Sequence, residues 1–163
     1  MSSNSHLAEA VQRSLSEWKP AGGGYQTFSQ PFPDAGWNLT VTFDRAEGLG
    51  GSVWALTLDR TGAAPGSLTL KAWADRVANQ VSGMLERLKV YEIDTANGIA
   101  LLRSDGPQAR GTVRSYYEVT LEGLSKATLL RFQGDTTPGT KREQVAFALT
   151  YESIGQVVEG MTA

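Results

Sequence analysis

The sequence predicts an α+β fold: a mainly antiparallel sheet of about six to eight strands, flanked by helices. Two observations carry this expectation. Stretches with a period of two follow one another with turn signals between them, as at 37–44, 53–58 and 112–122, and such runs pair as hairpins. Between them lies one segment, 70–88, whose apolar residues recur at helical spacing, so a long amphipathic helix should cover one face of the sheet.

Residues 5–18 open the chain as a short helix. Leu7, Val11, Leu15 and Trp18 share one face, and Ser5 is placed to cap the N-terminus. Pro20 and the triplet Gly22-Gly23-Gly24 stop it. The helix either docks on the domain or stands apart as an arm; burial of Leu15 and Trp18, worth roughly 1.5–3 kcal/mol each, favours docking. Residues 21–36 are rich in Gly and Pro and read as a linker. The expected division is therefore 1–20 helix or arm, 21–36 linker and 37–163 a single α+β domain.

Within that domain, Trp37, Leu39, Val41 and Phe43 alternate with Asn38, Thr40, Thr42 and Asp44, a strand with one wet face. A turn at 47–51 leads to a second strand, 53–58, with Trp54, Leu56 and Leu58 on one face, and 59–66 is a loop. The helix 70–88 carries the stripe Leu70, Trp73, Ala74, Val77, Val81, Met84, Leu85 and Leu88. Gly83 inside it costs about 1 kcal/mol relative to Ala, which the close approach of another backbone would explain. Strands follow at 90–93 and 99–103, joined at the hairpin signal Asn97-Gly98. After a break at Asp105-Gly106-Pro107, the strand 112–122 puts Val113, Tyr117, Val119 and Leu121 on one face and Arg114, Tyr116, Glu118 and Thr120 on the other. Strands at 124–133 and 145–151, separated by a polar loop at 134–140, precede a short closing helix with Ile154, Val157, Val158 and Met161.

The composition narrows the chemistry. The 163 residues are the size of one domain, and no apolar run approaches a membrane span. Fifteen basic and 17 acidic residues leave a net charge of −2, so strong attraction to nucleic acid or anionic lipid is not expected. The absence of Cys excludes disulfides, thiol catalysis and thiolate metal sites. The single histidine, His6, sits in the first turn of the first helix, so Ser–His–Asp catalysis has no support. Neither Gly22-Gly23-Gly24 nor Gly48-Leu49-Gly50-Gly51 opens a helix with a GK[ST] run, so no phosphate cradle is expected. Residues 1–6 lack the basic and apolar regions of a secretory signal, and a cytoplasmic location is expected unless a leader has been replaced. No cofactor and no metal is expected.

Arg103, Arg110, Arg114 and Arg131 interleave with Tyr116 and Phe132, and Asp105, Glu118 and Glu122 lie among them. Cross-strand ion pairs on a solvated sheet face are the plain reading. The same residue types recur at binding hot spots, so a partner surface built from Arg114, Tyr116 and Glu118 of one strand and Arg131 of its neighbour is the second expectation.

Several stretches together resemble the PsbP-like α/β/α sandwich superfamily. They are the helix 70–88, Tyr91-Glu92-Ile93, the hairpin at Asn97-Gly98, Tyr116-Tyr117-Glu118-Val119, the strand 127–132, and Val145-Ala146-Phe147-Ala148-Leu149-Thr150. Coverage is 30–160; helix 5–18 is an addition. The superfamily holds photosystem extrinsic proteins, Ran-binding Mog-type proteins and bacterial DcrB-like proteins, among them effector-associated chaperones of type VI secretion. A rival resemblance, to type III secretion chaperones, fits the leading helix, but five strands after the long helix exceed that fold. The resemblance implies a non-enzymatic, chaperone-like protein-binding module of a bacterial cell, with a protein partner and, in the type VI branch, an association with secretion; a homodimer stays open. The alternative is a small-ligand carrier or carboxylate-based enzyme using a cavity on a sheet face.

Overall fold

The computed structural model describes residues 4–20, 24–84 and 86–162. They form three helices and ten strands, an α+β fold whose strand pairs are all antiparallel.

Helix α1 runs Asn4–Glu17 and buries Leu7, Val11 and Leu15. It is docked, with Trp18 just beyond it packed on Phe28 and Phe43 at ring-centroid distances of 5.6 and 5.4 Å. The side chain of Ser5, the expected N-cap, lies outside the described residues. Part of the stretch read as a linker is a strand: β1, Gln26–Phe32, pairs with β2, Trp37–Ala46. Phe28 and Phe32 on β1 are buried. Gly and Pro on either side hide this short period, and Pro31 is tolerated because β1 is an edge of the sheet.

Strand β3, Gly50–Arg60, completes the hairpin with β2. The register slips beside Phe43, where Thr42 faces Ala55 and Phe43 faces Val53. Trp54 is the extra residue, so Val53 takes the buried place expected for Trp54.

Helix α2 is shorter than its periodicity suggests: it spans Leu70–Gln80, capped by the Thr69 hydroxyl, which accepts from the Ala72 N–H at 3.1 Å. Trp73, Ala74 and Val77 are buried as expected. Val81 is extended and Gly83 is left-handed at φ +94°. A methyl on Gly83 would lie 2.8 Å from the Ser153 carbonyl. The close backbone approach is present, but it ends the helix instead of crossing it, because only Gly makes this turn cheaply. Val81, Met84 and Leu88 keep helical spacing by coincidence, and Leu88 begins the next strand. Leu85, also counted in the stripe, lies outside the described residues.

The remaining strands are β4 Leu88–Asp94, β5 Ile99–Ser104, β6 Gln108–Arg110, β7 Val113–Glu122, β8 Lys126–Asp135, β9 Glu143–Val145 and β10 Phe147–Thr150. Helix α3, Tyr151–Met161, follows, capped by Thr150. The main order is β1-β2-β3-β8-β7-β5-β4. Strands β3 and β8 pair only through Leu56–Asp59 and Lys126–Leu129, then diverge. The segment 143–150 fills the gap, β9 pairing with β8 and β10 with β3. The single strand expected at 145–151 is therefore broken at Ala146, and Tyr151 belongs to α3.

All three helices flank one sheet face. Trp73 of α2 lies 5.8 Å from Trp37, and Tyr151 of α3 lies 6.2 Å from Phe43, the ring that Trp18 also covers. Trp37 and Phe43 share the buried face of β2. Helix α3 lies between the other two: Gly155 meets the Ala8 carbonyl of α1, and a methyl on Gly160 would lie 2.6 Å from the Val81 Cα just past α2. Gly155→Val is expected to cost about 1–3 kcal/mol through overpacking. It should appear as a lower urea midpoint with an unchanged slope; an unchanged midpoint would show that α1 is not held against α3.

Candidate functional site

The helix-free face is built by β4, β5, β7 and β8. On β7, Tyr117, Val119 and Leu121 are buried under the helices, so Arg114, Tyr116, Glu118 and Thr120 lie on the other face, as their alternation predicts. The β7–β8 register puts Phe132 opposite Tyr116 and Leu130 opposite Glu118.

Glu118 is the centre. It is 6% exposed although it lies on the helix-free face. Arg103, its cross-strand neighbour on β5, donates Nε to Oε1 at 2.9 Å. Arg142, just before β9, donates NH1 to Oε1 at 2.8 Å and NH2 to Oε2 at 3.3 Å. The same NH1 lies 3.2 Å from the Tyr116 hydroxyl. The hydrogen bonds to Glu118 raise the Arg142 pKa above its ordinary value, overriding partial burial. A carboxylate removed from water is costly unless paired, and two guanidinium groups provide that pairing.

Aromatic rings enclose these cations. The Arg103 guanidinium carbon lies 4.2 Å from the Tyr91 ring centroid and 5.3 Å from that of Tyr116. That of Arg142 lies 3.7 Å from the Phe132 centroid, and the Tyr116 and Phe132 rings are 6.1 Å apart. The result is a connected patch, Tyr91–Arg103–Tyr116–Phe132–Arg142, around one buried acid. Cation–π contacts of this kind contribute about 0.5–1 kcal/mol where exposed and more where dry.

Two of the four expected surface residues, Tyr116 and Glu118, belong to this patch. Arg114 shares the face, but its NH1 donates to the Gly111 and Val113 carbonyls at 2.7 and 3.2 Å, bracing the β6–β7 turn. Arg131 is on the other face. It pairs in register with Tyr117, is 8% exposed, and binds Glu86 through NH2 at 3.0 Å and NH1 at 3.4 Å. Its guanidinium carbon lies 4.3 Å from the Tyr117 ring centroid. The strand parity of β8 decides this: Ala127, Leu129 and Arg131 alternate into the core, so the neighbour beside Tyr116 is Phe132. Burial raises the Tyr117 pKa, an effect that Arg131 opposes.

Arg142 and Tyr91 are the members that local sequence reading did not select for the site. Arg142 follows a polar loop and reaches Glu118 only because β9 folds back onto β8. Tyr91 sits where the β4–β5 register slips between Val90 and Glu92, and it is 57% exposed. An edge-strand bulge of this kind leaves no local sequence mark.

Elsewhere, an open cleft of about 820 Å³ lies between the β2–β3 turn and β10, lined in part by Glu47, Leu49 and Ala148. A second, of about 540 Å³, separates α1 from the β1–β2 hairpin and includes His6, Arg13 and Asp34. Among the described residues no cluster of three or more His, Asp or Glu could hold a metal ion, and no helix is long and apolar enough to cross a membrane.

Fold and site together define an α+β protein whose antiparallel sheet has one helix-packed face and one face carrying an arginine–aromatic patch. No family model matches the chain, and no curated protein and no solved structure matches it.

Proposed function

We propose that the chain is a non-enzymatic protein-binding module and that its helix-free sheet face is the binding surface. The observation that carries this reading is the patch around Glu118: Tyr and Arg side chains already held in place on an open sheet. Such residues dominate binding hot spots, and side chains ordered in advance lose little entropy when a partner docks. Glu118 itself accepts three hydrogen bonds from two arginines, which supports a structural role for it within the patch. The element order that resembles the PsbP-like superfamily supports the same proposal, and with it a chaperone-like role in the cytoplasm of a bacterial cell.

The test starts from a partner captured by the full chain from its native host. Tyr116→Ala combined with Phe132→Ala is expected to weaken that partner's binding at least tenfold, about 1.4 kcal/mol, when measured well below the lowered thermal midpoint that loss of the ring–guanidinium contacts brings. Undiminished binding would remove this face as the interaction surface. A second reading, small-ligand binding, is favoured by one feature, the cleft of about 540 Å³ beside α1. That reading expects Ala10→Trp, at the cleft wall, to abolish ligand-induced stabilisation while leaving partner capture intact.

A further inference from the structure

The geometry points to Arg103 as a receptor for a carboxylate, with the helix-free face accepting an extended acidic segment of a partner protein. This rests on the reading of that face as the binding surface and names the chemistry that it would recognise.

Arg103 spends only its Nε on Glu118. Among the described residues its two terminal amino groups make no hydrogen bond. The guanidinium is stacked on Tyr91 and flanked by Tyr116, so its orientation is held on both sides while 29% of the side chain stays open to solvent. A planar fork with unspent donors and a fixed direction matches a carboxylate bidentately.

The charge around it is unbalanced. Lys89 lies directly opposite Arg103 on β4, and like charges in that position destabilise a sheet. The only ion pair of Lys89 among the described residues is with Asp105 at 3.6 Å, where both side chains are more than half exposed; such a pair contributes little. Arg142 competes with Arg103 for the same Glu118. Within ion-pair distance Lys89, Arg103 and Arg142 thus share one buried acid and one loosely held surface acid, with Glu92 one cross-strand row away. A carboxylate placed against Arg103 would relieve the repulsion with Lys89.

The neighbourhood suits a polypeptide. Leu101, Leu130 and Phe132 are half-buried on the same face and offer apolar contact beside the cations. Glu92 lies in the next cross-strand row, opposite Leu101. With Glu118 it breaks the run of positive charge that a phosphodiester backbone would need, leaving room for single acidic side chains spaced by apolar ones.

The experiment selects a random 12-residue peptide display library on the full chain. The recovered sequences are expected to be enriched at least threefold in Asp and Glu, and to include apolar residues. Synthetic peptides from that pool should lose at least tenfold in affinity for Arg103→Ala and at least fivefold for Arg103→Lys, which keeps the charge beside Glu118 but not the fork. Their affinity should also fall as salt rises. Lack of acidic enrichment, failure to recover any binder, or equal affinity for Arg103→Lys and the unaltered chain would overturn the proposal. So would preferential binding of an oligo-dT strand run alongside. A captured partner that requires Tyr116 but ignores Arg103 would overturn the carboxylate site alone and leave the face as a protein-binding surface.

Discussion

Trp73→Ala is expected to lower stability by about 3–5 kcal/mol, the loss typical of emptying a large aromatic site in a core. Trp73 is fully buried where α2 meets the sheet, packed on Trp37 at 5.8 Å. Its Nε1 donates to the Met161 carbonyl at 2.9 Å, so it also ties the end of α3 to α2. Truncation would leave both a cavity and a buried carbonyl without its donor, and the second loss costs about 1–3 kcal/mol by itself. Domains of this size are stable by only about 5–15 kcal/mol, so the variant should lie near the edge of folding at 37 °C. Guanidinium unfolding followed by far-UV circular dichroism measures the effect. Trp73→Phe, which keeps most of the apolar area but cannot donate, should fall between the two. A Trp73→Ala protein with a near-unaltered midpoint would contradict the packing of α2 against the sheet.

Arg131→Ala should be nearly as damaging, at about 3–5 kcal/mol, through a different mechanism. Arg131 and Glu86 are 10% and 12% exposed at their side chains and 3.0 Å apart. Deleting the guanidinium strands a carboxylate away from water and removes the cover over Tyr117. The pair also fastens the stretch after α2 to β8. Replacing both partners by apolar residues, as in Arg131→Met with Glu86→Leu, should recover most of the loss, since a buried pair often does no better than an apolar contact of similar volume. Urea midpoints of the two single variants and the double variant form the required cycle. Additive losses would show that the two side chains do not depend on each other.

These two sites differ in how they could be read. Trp73 falls on a helical stripe with Ala74 and Val77, and its burial follows from spacing alone. Arg131 is a charged residue on a strand, and its burial follows only from its partner. Parity along β8 already put it on the side of Ala127 and Leu129. Its charge argued for the solvent face, and Glu86, which resolves the conflict, lies 45 residues away.

The period-two and helical-period runs determined by themselves that the chain is α+β, that its sheet is mainly antiparallel, and that the named residues of β2 and the closing helix, with Tyr117, Val119 and Leu121 of β7, form the core, while Val113 at the start of β7 stays outside it. Apolar periodicity acts within a few residues, so it can be seen in a linear string. The tertiary structure alone decided where α2 stops, since Gly83 turns over the Ser153 carbonyl of another helix. It decided that Gln26–Phe32 is a strand, because Pro31 is harmless only at a sheet edge. It decided that Glu143–Thr150 divides between two partners, because β3 and β8 diverge and leave unpaired backbone on each. It also assembled the patch around Glu118 from five separate stretches. Arg103 lies 15 residues from Glu118 and Arg142 lies 24 residues away, and strand register, which is set by the packing of the whole sheet, brings them together.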